Sequence, residues 1–295
     1  MFKLYHFCVI ISTEFSFWEL KMADFEFKNN NVYIKSDSFD LRQTLDCGQA
    51  FRFSSDENGV WSGVVKNRVV TLFEENKKIV IKDMSREEFE NYFYEYFTFD
   101  IDYSKIKELL SNDETLKKAI SYSPGIRILK QEKFETVCSF IFSQNNNIPR
   151  IKGIINRFCE NFGEKIDENN YSFPNVEKVA NLTVEDLAPI RAGFRAKYII
   201  DAAKKIKSGE VKLEKLETMD ITDAREELMK IKGVGPKVAE CVLLFSCKRL
   251  EAFPVDVWIK KVMLQLYPNG LPDCTKGIEG IAQQYLFDYA RSIKL

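Results

Sequence analysis

Histidine is almost missing from this sequence: His6 is the single one in 295 residues. That argues against a histidine-based triad and against most catalytic zinc sites, and leaves acid–base or nucleophilic work to Asp, Glu, Lys or Cys. Paired cysteine spacing is missing too. Cys8, Cys47, Cys138, Cys159, Cys241, Cys247 and Cys274 contain no C-x-x-C, which argues against a zinc ribbon or an iron–sulfur site. An odd number of scattered cysteines fits reduced thiols in a cytosol. Thirteen Gly and eight Pro are too few for a collagen-like or linker-dominated chain. The apolar FCVII at 7–11 is too short to span a membrane, and it has no small-residue cleavage site. Nor is there an excess of positive charge, the formal net being −1. The first hundred residues carry 12 Lys/Arg against 17 Asp/Glu and the remainder 31 against 27, so a polyanionic partner has to be met by local patches of the later part.

What is present is ordinary for a soluble globular chain: 45 % hydrophobic and 29 % charged residues, with length for about two or three domains. Residues 1–23 read as an N-terminal extension, with Met22 as the expected working start. From 24 to about 82 the pattern is β. Short runs rich in β-branched and aromatic residues, at 32–34, 50–53, 60–65, 69–73 and 79–81, alternate with turn signals such as Asp56-Glu57-Asn58-Gly59. A capping box at Ser85–Glu88 then opens a helix. Beyond it apolar residues recur at helical spacing, as in Phe134, Val137, Cys138, Ile141 and Phe142, and in Ile151, Ile154, Ile155, Phe158 and Cys159; both stripes read as core. Further helices are expected near 175–192, 195–208, 222–231, 236–247, 257–266 and 276–293. The fold class is α+β: an antiparallel sheet domain at 24–100, then a helical domain at 101–295.

Residues 223–261 carry the chemistry. Asp223 and Glu226 suit a capping box for one helix. Gly233-Val234-Gly235 makes a tight connection with glycines free to adopt positive φ, and Pro236 suits the first position of the next helix. Free backbone amides at that helix start form an anion site fit for a DNA phosphate. Lys237 sits in the first turn, where the helix dipole disfavours the ammonium and favours the free, nucleophilic amine. Asp256, after the rigid Pro254, stands where another helix begins. A carboxylate anchored there can activate the lysine and stabilise a developing sugar cation. Taken singly, Lys237 also reads as a solvated lysine and Asp256 as an N-cap.

Gly233-Val234-Gly235-Pro236-Lys237 followed by Pro254-Val255-Asp256 resembles the signature of the helix-hairpin-helix DNA glycosylases, with the hairpin at about 222–247 and the Lys marking bifunctional glycosylase/lyases. Cys47-Gly48-Gln49-Ala50-Phe51-Arg52, Ser143-Gln144-Asn145-Asn146-Asn147-Ile148-Pro149-Arg150 and Gly193-Phe194-Arg195 are similar to motifs of one branch, the 8-oxoguanine DNA glycosylases, as are Gln283 and Phe287. The resemblance covers about 24–295. It implies that Lys237 attacks the sugar C1′ with help from Asp256, and that the Gly48 carbonyl accepts the N7–H carried only by the oxidised base. Phe287 and Cys241 would sandwich the flipped base, for which a bland core role is the alternative, and Gln283 would bond its Watson–Crick edge. Asn145, Arg150 and Arg195 would hold the orphaned cytosine while Phe194 wedges into the stack. Two positions depart from the family pattern: Trp258 replaces a common phosphate-contacting histidine, and Phe194 a usual tyrosine.

The resemblance further implies a monomer on duplex DNA containing oxidised guanine, in the cytoplasm (on the nucleoid in a prokaryote), with no membrane association. It implies no required cofactor and no metal site, although carbonyls in such hairpins allow a monovalent cation to sit beneath them. Hydrolysis by water is the sister chemistry, and a non-catalytic DNA-binding module or a structural scaffold are the other classes. Borohydride trapping of an imine to Lys237 separates the lyase from all of these.

Overall fold

The computed structural model describes residues 24–35 and 38–295; the extension at 1–23, with its proposed Met22 start, lies outside them. Six antiparallel strands form one sheet in the order β1-β2-β6-β5-β4-β3: β1 Asp24–Lys28, β2 Asn31–Lys35, β3 Phe53–Ser55, β4 Trp61–Val65, β5 Arg68–Glu75 and β6 Lys78–Ile81. Register aligns Val32 with Ile81, Ile81 with Leu72 and Leu72 with Trp61, so a buried apolar row crosses four strands on one face. Gly63 is required there. The Phe53 ring lies across it, and a Cβ would stand 2.4 Å from that ring.

Two short helices follow the sheet's first hairpin and its last strand: α1 (Leu41–Leu45), and α2 (Arg86–Glu88), which Ser85 caps through the Glu88 amide as its spacing predicts. A π-helical stretch, Phe89–Phe93, carries α2 into α3 (Tyr94–Tyr96). Phe89, Phe93, Tyr96, Phe97 and Phe99 from this segment close the sheet's apolar face into a first core. A second, larger core takes in Phe51 and then runs from Tyr103 onward, filling the helical part. Its helices are α4 (Tyr103–Leu110), α5 (Glu114–Tyr122), α6 (Lys133–Ser143), α7 (Ile148–Phe162), α8 (Val176–Ala180), α9 (Ala196–Lys207), α10 (Ile221–Met229), α11 (Pro236–Cys247), α12 (Val257–Gln265) and α13 (Glu279–Ser292). Both apolar stripes read from the sequence lie in that core on α6 and α7, with Phe134 at its margin. α6 and α11 are buried along most of their length and pack on each other at its centre.

Three local expectations are corrected. The run at 50–53 is not a strand until Phe53: Gln49 is drawn away by buried side-chain bonds, and Phe51 leaves the sheet to meet Phe140 of the helical core edge-on at 5.7 Å. The helix expected over 175–192 is only α8, because Thr183 and Asp186 bond each other locally and Pro189 allows just a 3₁₀ turn, Ala188–Ile190. The cap of α10 is Asp220, accepting from the Thr222 amide, which places Asp223 inside the first turn.

Arg127 fastens the sheet-side segment to the helices. Only 3 % exposed, it donates to the carbonyls of Phe97 (3.0 Å), Ser38 (3.2 Å), Thr98 (2.6 Å) and Ile101 (3.2 Å), and its guanidinium lies 4.2 Å from the Tyr103 ring centroid. Replacing it with Met keeps the volume and removes all four bonds, although the carbonyls of Phe97, Thr98 and Ile101 each keep a second donor. Arg127→Met is expected to cost about 1.5–3 kcal/mol in denaturant unfolding, the range for hydrogen bonds made by a charged group; a midpoint within error of wild type would contradict the clasp.

Candidate active site

The helix-hairpin-helix is α10, the turn at 230–235, and α11. Gly233 takes φ +82 with the Tyr198 ring packed where its Cβ would be. Gly235 corrects the expectation of positive φ at both glycines: it is extended, with φ −105 and ψ −177, and the space beside it is open. It also serves as N-cap of α11, so no side chain caps that helix start. The hairpin is braced from behind by α9, whose Lys205 Nζ donates to the Lys230 carbonyl at 2.6 Å and whose Asp201 accepts from the Lys232 amide at 2.7 Å.

Lys237 follows Pro236 in the first turn of α11 and is partly buried. Its ammonium lies 5.0 Å from the centroid of Phe140, which is itself stacked on Phe245 at 5.5 Å. One turn further, Cys241 is fully inside; burial pushes its thiol pKa up, while the Lys237 charge and a hydrogen bond from it pull the other way. Asp256 is the N-cap of α12, with Oδ1 accepting from the amides of Trp258 (3.0 Å) and Ile259 (2.8 Å). Its second carboxylate oxygen is not used by this cap. Trp258 lies beside that cap, and Lys261 sits over its ring at 4.9 Å.

These groups share one narrow cleft. Gly48, Phe140, Lys237, Cys241, Phe245, Pro254, Asp256, Gln283, Gln284 and Phe287 line it. All six residues expected in the catalytic and base-binding set are there, brought together from the sheet-side loop, α11, the start of α12, and α13. Phe140, Phe245 and Gln284 were not singled out in advance, and Pro254 only as the rigid residue before Asp256. The first two could be taken from an apolar stripe only as core. Gln283 is buried, and its Oε1 has no partner among the described residues, an acceptor held ready inside the cleft.

Gly48 is bracketed by its neighbours. The Cys47 carbonyl accepts from Gln284 Nε2 at 3.1 Å, and the Gln49 carbonyl from Gln131 Nε2 at 2.9 Å. The Gln49 side chain donates to the carbonyls of Thr44 (2.9 Å) and Arg127 (2.7 Å) and accepts from the Leu129 amide (2.9 Å). Gly48 itself has φ +89 and faces Phe287. The Cys47 thiol is pushed up to about 12 by burial, and by Asp288 behind it.

The remaining expected residues lie away from the cleft. Asn145, with φ +47, and Arg150 are exposed; Asn146 and Asn147 serve the backbone instead, bonding the Phe142 carbonyl and capping α7. Phe194 is 50 % exposed on a 3₁₀ turn, Gly193–Arg195. Arg195 is buried, and its guanidinium donates to the carbonyls of Gln144, Asn145 (3.0 Å) and Ala192 (3.2 Å) beneath the Phe194 ring. Among the described residues, no group of three or more His, Cys, Asp or Glu is arranged to hold a metal, and no helix is long and apolar enough to cross a membrane.

Comparison with known proteins agrees with this geometry. The N-terminal domain model of 8-oxoguanine DNA glycosylase matches residues 31–137, and the HhH-GPD superfamily model of base excision DNA repair proteins matches 138–279. The yeast N-glycosylase/DNA lyase is 32 % identical over 277 residues, covering 82 % of this chain and 72 % of the yeast protein. This chain belongs to the 8-oxoguanine DNA glycosylase family. The Clostridium acetobutylicum 8-oxoguanine glycosylase/lyase, solved with double-stranded DNA containing cytosine opposite the lesion, is 40 % identical with a TM-score of 0.87, over 94 % of this chain and all of that one. A Bacillus subtilis DNA-3-methyladenine glycosylase is 32 % identical over 198 residues, 65 % of either chain.

A residue in the left-handed region other than Gly costs about 1–2 kcal/mol. Gly48→Ala meets no hard contact, its Cβ falling 3.6 Å from Phe287, so the cost is one of backbone conformation. Stability is expected to fall by about that amount in denaturant titration, with lesion excision lost more than DNA affinity because the carbonyl at 48 is re-aimed. Unchanged excision in a folded Gly48→Ala protein would remove this carbonyl from base reading.

Proposed function

We propose that this glycosylase excises 8-oxoguanine from duplex DNA with Lys237 as the nucleophile and then nicks the strand by β-elimination through the same lysine. One observation carries the assignment: Lys237, Asp256, Gly48, Cys241, Gln283 and Phe287 line a single cleft. Lys237 Nζ forms a bond to C1′ as the C1′–N9 bond breaks and the base departs. Ring opening yields an imine, loss of a C2′ proton follows, and the C3′–oxygen bond breaks. Asp256 faces this reaction as a carboxylate fixed by two amides, suited to a sugar that becomes cation-like as the base leaves.

Base choice is negative as well as positive. Ordinary guanine presents a lone pair at N7 and would repel the Gly48 carbonyl, whereas 8-oxoguanine presents N7–H. The unpartnered Oε1 of Gln283 suits the N1–H and amino donors of a guanine edge. An alkylated adenine has no such pair of donors there, which favours an oxidised guanine over the base named for the Bacillus relative. Phe287, with Cys241 opposite, supplies the sandwich.

The amides at the start of α11 take a phosphate of the lesion strand. Asn145 and Arg150, exposed beside the Phe194 wedge, read the orphaned cytosine. Arg195 contributes from beneath, holding the 144–145 backbone or turning out to the cytosine. The family's chemistry needs no cofactor. A monovalent cation under the hairpin would sit on its backbone carbonyls, that of Lys230 being disfavoured by the Lys205 ammonium it already accepts from. The enzyme acts as a monomer on DNA, in the cytoplasm; the free state of six cysteines fits that compartment.

Borohydride trapping tests the reaction. Wild-type protein with lesion-containing duplex is expected to give a covalent protein–DNA adduct, and Lys237→Gln none, while the variant still binds the lesion duplex. A trapped adduct in Lys237→Gln would move the nucleophile elsewhere.

Opposite-base choice tests the second set. Cleavage opposite cytosine is expected to exceed that opposite adenine by roughly 5- to 150-fold, the worth of one good base-edge contact. Arg150→Ala and Arg195→Ala are each expected to lose that preference, chiefly through slower cleavage opposite cytosine. Weakening that is uniform over all four opposite bases would make these arginines phosphate contacts only.

A further inference from the structure

The nucleophile and the carboxylate are 19 residues apart, and the strap from 248 to 255 joins their helices. Its course is fixed at three points. Arg249 donates to the carbonyls of Leu216 (3.2 Å) and Met219 (2.8 Å). The Leu250 carbonyl accepts from the Gly280 amide at 2.7 Å, at a spot where a Cβ on Gly280 would stand 2.6 Å from the Ala252 carbonyl. The third point is Glu240. Its Oε2 accepts from the Phe253 amide at 2.8 Å, and its Oε1 from Arg225 Nε of α10. Glu240 is 9 % exposed and stands in the middle of the buried α11 helix, an expensive place for a carboxylate with nothing to do. Sequence reading gave no reason to single it out.

We propose that Glu240 is a positioning residue that sets the separation of Lys237 from Asp256. The link is short and stiff at both ends. Lys237 and Glu240 are three residues apart on one continuous helix, so their relative placement is that of the helix itself. Phe253 and Asp256 are also three apart, with Pro254, whose φ is fixed by its ring, between them and lining the cleft. One charge-assisted bond, Glu240 to the Phe253 amide, therefore ties the rigid segment that carries the amine to the rigid segment that carries the carboxylate. Arg225 keeps Glu240 paired and aimed, and extends the tie to the first helix of the hairpin. A misplacement of about 1 Å between reacting groups costs up to about 100-fold in rate, so a strap free to shift by that much is felt in chemistry before binding.

This inference rests on the proposed role of Asp256, and a double-mutant cycle tests the two separately. Single-turnover excision and affinity for the lesion duplex are measured for Glu240→Ala, Asp256→Asn and the double variant. Glu240→Asp accompanies them as a smaller change should the alanine variant not fold. It keeps a carboxylate beside Arg225 and draws back from Phe253. Excision by Glu240→Ala or Glu240→Asp is expected to fall about 10- to 100-fold with affinity within about twofold of wild type. Glu240→Gln, whose amide oxygen still accepts from the Phe253 amide, is expected to recover most of the rate. In the Asp256→Asn background the Glu240 substitution is expected to cost little more, because the group it positions is already gone. A normal rate in Glu240→Ala and Glu240→Asp, or full additivity with a damaging Asp256→Asn, would overturn the positioning role and leave the reaction assignment intact. A normal rate in Asp256→Asn would instead remove the catalytic reading of Asp256, and this inference with it.

Discussion

The active site depends on Gln49. This buried side chain uses three of its hydrogen-bonding positions on backbone groups of residues 44, 127 and 129, stitching the loop after α1 to the segment that enters the helical core. Its own carbonyl is taken by Gln131, whose amide in turn donates to the Phe245 carbonyl of α11 at 2.8 Å. A continuous chain of polar contacts thus runs from the sheet-side loop to the helix that carries Lys237. Gln284 adds a second tie, from α13 to the Cys47 carbonyl. Cys47 and Gln49 are thus both held, and Gly48 between them lines the cleft.

This arrangement gives the sheet a purpose beyond stability. Its aromatic core closes on itself and meets the helical part mainly through Arg127, Phe51 and the 46–52 loop. The helix-hairpin-helix carries Lys237, and the start of α12 carries Asp256. The loop beside the sheet adds Gly48 to the cleft wall, between two residues whose own carbonyls are held by Gln284 and Gln131. Buried polar networks of this kind are costly when half satisfied, so the loop is expected to be either fully seated or lost.

The sheet and most helices were legible because their signals are local: β-branched and aromatic runs at 60–65 and 69–73 bounded by turn residues, a capping box at Ser85, a proline opening α11, an N-cap aspartate at 256. The six expected residues that line the cleft were legible through short motifs and the resemblance these carry. The supporting shell was not. Gln131, Gln284, Arg127 and Glu240 act on backbone groups between 13 and 237 residues away, and such bonds leave no period or spacing to read. Asp220 was passed over for Asp223 because both are acidic and near the helix start, and only backbone geometry chooses between them. Gly235 was credited with positive φ, yet its value lies in an open flank at the helix start rather than in its dihedral.

Arg195 holds a second loop in the same way, through backbone carbonyls. Its guanidinium is spent on the carbonyls of Gln144 and Asn145, and burial beside Arg150 pushes its pKa down, burial being the larger cause. Asn145 can hold φ +47 because its carbonyl is gripped from below, and the exposed Phe194 ring is backed by the same guanidinium at 4.5 Å. One side chain thus ties the 193–195 turn to the 144–145 loop. In the proposed reading, a base pushed out by Phe194 would leave its partner facing Asn145 with that loop already held, which would remove an entropic cost from the moment of recognition. Rigidity is thus concentrated at the Gly48 bracket and the Arg195 clamp, the two places that the proposed reading assigns to the two DNA strands, and that reading leaves the half-buried Lys237 to meet the sugar.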